Sequence, residues 1–317
     1  MTRPMTLVAF AAFALALFGC ASDVTLDDDV LDGRDDALEE DDPTGTVTSE
    51  LRSAAPRVRQ VALSTGVTLS YLEQGRKNGE VFIFLHGYTD SHRSFDLTLP
   101  RLPRRIHAYA LDQRGHGDSS KPACCYTQAD FAGDVIAFMD ALGIPKATLV
   151  AHSMGSFVAH KVAVDHPSRV RELVLVGSAP TGVGNPVGLE LKSIVDTLED
   201  PIDPEFVRAF QASTFYRPIP ASYLDTAVSE SLKVPATVWK QALDGLLTED
   251  HSAELGQITA RTFIFWGDQD VFFGAADQAV LDAAIPRSKL IVYPQTGHGL
   301  HVEEPRRFVR DLVRFTR

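Results

Sequence analysis

LVAHSMGSFVAHK, residues 149–161, joins an apolar run to a helical pattern with no loop between them. The run ATLVAHS, 147–153, is continuously apolar up to His152, as expected of a strand buried on both faces. From Met154 to Asp165 the residues are apolar nearly all round, which predicts a central, buried helix. The chain must reverse within a residue or two, so the neighbours of the turn have to be small. Ala151 and Gly155 stand two residues either side of Ser153. A serine held in such a turn is pushed out at the carboxyl end of the strand, and the helix that follows aims its positive end at the same place.

Outward from this stretch the chain alternates. VRQVAL (58–63) and VTLSYLE (67–73) predict two paired strands with STG as the turn. VFIFLHG (81–87), IHAYALD (106–112), ELVLVGS (172–178), TFIFWGD (262–268) and KLIVYP (289–294) predict further strands. Between them lie helical patterns. Phe131, Val135, Phe138, Met139 and Leu142 make one stripe that stops at Gly143, and Phe308, Val309, Leu312, Val313 and Phe315 make another. The pattern predicts an α/β fold, a mostly parallel, doubly wound sheet of about eight strands. Residues 181–258 break the rhythm. They hold helical patterns and many prolines but no clear strand, and a stretch that long is not a simple loop. They predict a helical cap inserted into a domain spanning 57–317.

A serine hydroxyl alone is a weak nucleophile and needs a base. YPQTGHGLH (293–301) carries His298 in a glycine-flanked loop after the last strand. FWGDQDVF (265–272) carries two candidate acids, Asp268 and Asp270, after the strand before it. AHSMG (151–155) fits the nucleophile-elbow motif with alanine in place of the first glycine, and the chain order Ser, Asp, His matches that motif's partners. All the candidates fall just past the carboxyl ends of strands, where ligands gather in open α/β sheets.

With FLHG (84–87), DQRGHGDS (112–119), AHSMG (151–155), WGDQD (266–270) and GHGLHVEEP (297–305) in this order, the chain from about residue 58 to 317 resembles the α/β-hydrolase fold superfamily. The particular likeness is to its cap-bearing branch of serine esterases, enol-lactonases, haloperoxidase-like enzymes and C–C hydrolases. The resemblance implies Ser153 as nucleophile, His298 as base and Asp270 as the acid, with Asp268 more suited to capping its loop. It implies an oxyanion hole from the backbone N–H groups of Tyr88 and Met154, with His86 and Gly87 supporting that loop. His301 corresponds to a position that is usually structural. Arg114, His116 and Asp118 read as loop locks, and His152 as a packing residue. Haloalkane dehalogenases and epoxide hydrolases of this fold carry aspartate where Ser153 stands, so those chemistries are excluded. The expected function is cleavage of a small-molecule carboxylic ester or lactone through an acyl-enzyme, with no cofactor. The alternatives are C–C bond hydrolysis of a diketone and a slow-turnover ligand-binding sensor. Phe206, Phe210, Phe215, Tyr216, Tyr223 and Trp239 are candidates for an acyl pocket, against the plainer role of core.

The amino terminus is of another kind. MTRPMTLVAFAAFALALFGC has one basic residue, Arg3, then an uncharged apolar run from Leu7 to Phe18, too short to span a bilayer comfortably but suited to a signal peptide. LFGC (17–20) resembles the lipobox of bacterial lipoproteins, which implies a signal peptide over 1–19, lipidation of Cys20 and anchoring to the cell envelope. A plain secretory signal cleaved near Ala21 is the competing reading. Residues 21–50 carry twelve Asp or Glu and one Arg, a net of −11 out of −12 for the 317-residue chain. Residues 1–20 add +1, so residues 51–317 sum to only −2. The acidity therefore sits in a stretch, 20–56, that predicts a disordered linker. It lacks the alternating ligands and fixed glycine of a calcium loop. No basic face suggests nucleic acid, and the scattered histidines lack metal-ligand spacing. Adjacent Cys124 and Cys125 leave two free thiols and a vicinal disulfide both open.

Overall fold

The structure is a computed structural model that describes residues 54–316. The predicted signal peptide, Cys20 and the acidic stretch through residue 53 lie outside the described residues.

One sheet holds eight strands: β1 (Ala54–Ala62), β2 (Thr68–Gly75), β3 (Glu80–Leu85), β4 (Ile106–Leu111), β5 (Ala147–His152), β6 (Val170–Val176), β7 (Arg261–Gly267) and β8 (Ser288–Tyr293). β1 begins at Ala54, inside the stretch assigned above to the linker. The order is β1-β2-β4-β3-β5-β6-β7-β8. β1 and β4 run antiparallel to β2, and every other neighbouring pair is parallel. Every residue of β4 and β5 is buried, which is why those stretches read as unbroken apolar runs rather than alternations.

The helices that cover the sheet follow the same logic. α1 (Gln128–Ala141) starts on a capping box: Asp130 N–H donates to Thr127 Oγ1 at 3.1 Å and Thr127 N–H to Asp130 Oδ2 at 2.9 Å. Such a cap contributes about 1 kcal/mol. α2 (Met154–Asp165) follows β5 directly and is buried along most of its length. α7 (Ala275–Ala284) links β7 to β8, and α8 (Leu300–Glu303) and α9 (Pro305–Phe315) follow β8. Between β6 and β7 come α3 (Pro186–Val195), α4 (Pro204–Ser213), α5 (Ala221–Ser231) and α6 (Ala236–Thr248). Their prolines mark helix starts: Pro186 and Pro204 stand in the first turn, Pro220 and Pro235 just before it. Proline suits those places because the first N–H groups of a helix have no partner within it.

The loop Arg114–Ser119 is locked to α1. Arg114 grips the Asp134 carboxylate with two bonds of 2.6 and 2.7 Å and donates to Cys125 O at 2.7 Å. His116 Nδ1 meets Arg114 O, and Asp118 N–H donates to Asp112 Oδ2. Cys124 and Cys125 are joined as a disulfide, which settles the choice the sequence leaves open. Among the described residues no helix is long and apolar enough to cross a membrane.

Candidate active site

The β5–α2 turn is as sharp as its sequence requires. Ser153 has φ 51° and ψ −121°, a conformation that costs a non-glycine residue about 1–3 kcal/mol. It is held there by its own N–H donating to Val176 O at 2.9 Å and by Ser156, whose N–H and hydroxyl both bond Ser153 O. A Cβ on Gly155 would come within 2.6 Å of Leu85 O and 2.7 Å of His86 O. Only glycine lets α2 start that close to the end of β3, and this closeness brings the serine beside the loop that leaves β3.

That loop carries Tyr88. His86 braces it: its Nδ1 bonds Gly87 O at 2.8 Å and its Nε2 accepts from Gln113 N–H at 3.0 Å, so the ring is in its neutral form. Burial pushes the His86 pKa down to about 4, in keeping with that role. Neither the Tyr88 nor the Met154 backbone N–H is spent on a hydrogen bond among the described residues. The Tyr88 ring is buried against Trp239 and Phe210, and its hydroxyl donates to Trp239 O at 2.7 Å. The β3 loop is thereby tied to α6.

The loops after β7 and β8 bring Asp270 and His298 together. His298 Nδ1 lies 2.8 Å from Asp270 Oδ2, and both side chains are buried. The other oxygen of Asp270 accepts from the N–H groups of Phe272 and Phe273, which orients the carboxylate. Asp268, the competing acid, instead accepts from Gln295 N–H at 2.6 Å and has no bond to His298. Gly177, at φ 54°, backs the imidazole: a Cβ there would come within 2.8 Å of His298 Nδ1. The Phe272 ring covers the imidazole at 4.7 Å between centroids.

Ser153, His298 and Tyr88 line one partly open cleft between the sheet edge and the β6–β7 helices. Met154 and Asp270 stand behind this lining. Ser153 Oγ and His298 Nε2 share the cleft without a direct hydrogen bond, and bonds of this kind commonly tighten only with substrate in place. Of the six aromatics considered above, Phe210, Phe215 and Tyr223 line the cleft. Trp239 packs behind Tyr88, Phe206 packs on Trp239, and Tyr216 is half exposed. Arg114, His116 and Asp118 do not reach the cleft.

Several lining residues were not legible in the sequence. Asp90, Ser94 and Gln211 form a polar corner, and Leu191, Leu243 and Leu247 an apolar wall. Asp90 stands four residues after His86, a spacing with no signal of its own. Gln211 comes from α4, whose docking no local pattern predicts. The lining residues include no lysine or arginine, and Asp90 is their one carboxylate. Among the described residues no cluster of three or more metal-ligating side chains occurs.

Comparison with known proteins agrees with this architecture. The family model for the alpha/beta hydrolase fold matches residues 80–305. The chain is 31% identical over 264 residues to the dihydrolipoyllysine-residue acetyltransferase component of the acetoin cleaving system of Cupriavidus necator, covering 78% of this chain and 66%, about two thirds, of that one. It is 26% identical to the 2-hydroxymuconate semialdehyde hydrolase of a Pseudomonas species, over 80% of this chain and 92% of the relative. An esterase from Exiguobacterium antarcticum shares the fold with a TM-score of 0.74 at 24% identity, covering 81% of this chain and 98% of that chain. The chain belongs to the alpha/beta hydrolase fold family, with a 2-hydroxymuconate semialdehyde hydrolase among its relatives.

Proposed function

We propose that the protein is a serine hydrolase that cleaves a carboxylic ester or lactone. The observation that carries this reading is the Asp270–His298 pair, bonded at 2.8 Å, sharing its cleft with a serine held at φ 51° on a strand–helix turn. In the proposed reaction Ser153 Oγ bonds to the substrate carbonyl carbon while His298 Nε2 takes the hydroxyl proton. Asp270 holds the imidazole and offsets its charge. The carbonyl electrons move to oxygen, and the Tyr88 and Met154 N–H groups stabilise the oxyanion, commonly the largest single term in such reactions. Collapse breaks the bond to the alcohol oxygen, which takes the proton from His298. Water then attacks the acyl-enzyme by the same route, releasing the acid and freeing Ser153.

The cleft favours this reading over cleavage of a carboxylate-bearing diketone. A substrate carboxylate would lie near Asp90 with no lysine or arginine in the lining to offset it. An unpaired charge taken out of water costs several kcal/mol. The test is a panel of p-nitrophenyl esters of increasing acyl length and small lactones, run beside carboxylate-bearing and neutral diketones. We expect kcat/KM for the best neutral ester to exceed that for the carboxylate diketone by at least about 100-fold, about 2.8 kcal/mol. Faster C–C cleavage than ester hydrolysis would reverse the assignment. For the amino terminus, the apolar run ending in LFGC supports export and lipid anchoring through Cys20 to the cell envelope.

A further inference from the structure

The polar corner of the cleft contains a buried carboxylate that the proposed reaction does not use. Asp90 Oδ1 accepts from Gln211 Nε2 at 3.0 Å. Its remaining partners are the Gly87 backbone N–H and, at Oδ2, the Ser94 hydroxyl at 3.5 Å, the outer limit of a hydrogen bond. An ionised carboxylate offers about four acceptor sites, so this one is under-supplied. The nearest ring nitrogen, His152 Nδ1 at 3.9 Å, does not make up the deficit. His152 Nε2 meets the His298 carbonyl at 3.2 Å and must carry the proton there, which leaves Nδ1 as an acceptor. Burial, then the neighbouring His301 and His298, hold the His152 pKa well below its ordinary value, so the ring does not become a cation. His301 is held down in the same way, to about 3. The corner thus gathers acceptors and offers the carboxylate the Gln211 amide, the Gly87 N–H and a long bond from Ser94, with no lysine or arginine beside it.

Asp90 is nevertheless open to the cleft. Its side chain is 15% exposed and lines the same cavity as Ser153. Burial raises its pKa to about 6, outweighing its bonds to Gln211, Ser94 and Gly87. Gln211 fixes its orientation from the cap side, and Gln211 is itself anchored by donating to Ser231 Oγ at 2.8 Å. Buried charges in proteins are paired or bound to ligand, and here the open side faces where a substrate would lie.

We propose that Asp90 is the specificity-determining residue of a donor-binding subsite, which recognises a hydroxyl or protonated amine on the ester or lactone substrate. This rests on the hydrolase reading above and names the class of substrate. A hydroxyl would donate one charge-assisted bond to Oδ2. An ammonium would also offset the charge, and a carboxylate would be repelled.

The test uses the full-length protein and two matched ester panels. One varies the acyl half, with p-nitrophenyl esters ending in methyl, hydroxyl, ammonium or carboxylate over several chain lengths. The other varies the alcohol half of hexanoate esters in the same way. In one of the two panels the hydroxyl or ammonium ester should exceed its methyl counterpart at least tenfold in kcat/KM, with the carboxylate ester the poorest. Asp90→Asn should bring the ammonium ester to within about threefold of the methyl ester while keeping most of any hydroxyl preference. Asp90→Ala should remove both. The ratio between substrates is read, not the absolute rate, so a partial loss of folded protein does not affect it. Equal rates for methyl and donor-bearing esters in both panels, or a donor preference that survives both substitutions, would overturn the proposal. Turnover of the plain methyl esters reports on the hydrolase reading separately. If they are cleaved without donor preference, the subsite fails and the hydrolase stands.

Discussion

Replacing Ser153 with alanine is expected to lower ester turnover by about 10⁴–10⁶-fold, the range for loss of the nucleophile from such a triad. The size follows from the chemistry. Without Oγ no acyl-enzyme forms, and the cleft retains only binding and the oxyanion donors. A second consequence comes from the backbone. At φ 51° and ψ −121°, any residue with a Cβ is strained, so alanine keeps the strain and glycine relieves it. Ser153→Gly should be as inactive as Ser153→Ala yet more stable than it by about 1–2 kcal/mol, read as a higher midpoint in chemical unfolding. Equal stability would mean the turn is not held against a preference. Retained turnover in either variant would remove Ser153 from the reaction.

The second large effect is on stability against pH. Six described histidines, His86, His116, His152, His160, His251 and His301, have pKa values pushed below normal, with burial the leading cause in each. His86 is lowered to about 4, and His116 and His301 to about 3. The unfolded chain takes up these protons as pH falls through about 6.5, whereas the folded chain refuses them until the lower values. Stability from these groups is therefore full above about pH 6.5 and is lost as pH falls towards 4. Two carboxylates act the other way: burial raises Asp90 to about 6 and raises Glu303 as well. His92 is also raised, because its bond and charge interaction with Asp112 outweigh the burial that alone would lower it, but it acts above pH 6.5. The lowered histidines outnumber the raised carboxylates, so unfolding near pH 5 takes up protons, and each net proton steepens the loss by about 1.4 kcal/mol per pH unit. Since domains are stable by only about 5–15 kcal/mol, the denaturant midpoint should fall steeply from pH 6.5 and the protein should unfold near pH 5. A midpoint that is flat between pH 7 and 5 would show that these rings can be protonated in place.

The parts of this molecule that could be read from its sequence are those set by burial and local backbone geometry. VFIFL, IHAYAL and ATLVAH are mostly apolar and do not alternate with polar residues, because both faces of β4 and β5 and most of β3 are buried. Gly155 is legible because the Ser153 turn leaves no room for a side chain. Asp270 and His298 are legible because each follows a recognisable strand within a few residues. What could not be read depends on how distant segments dock. Tyr88 meets Trp239, and Asp90 meets Gln211, across 151 and 121 residues of chain. Nothing local in either pair signals the other. The cap aromatics show the same limit: Phe210 faces the cleft while Trp239, also on a helix and also buried, does not. Helical periodicity gives a buried face but not what it is buried against. Gly177 carries no local signal for a related reason, since its contact is with His298, which reaches it only in the assembled sheet.

The central claim, that the Ser153 hydroxyl is made reactive by His298 and Asp270 in one cleft, is tested most directly by covalent labelling with a fluorophosphonate. Intact-mass analysis followed by peptide sequencing should find one phosphonyl group, on Ser153, and His298→Ala should take it up at least about 100 times more slowly, as removal of an activating base requires. No adduct on the folded protein, an adduct on another residue, or equal labelling without the imidazole would contradict it.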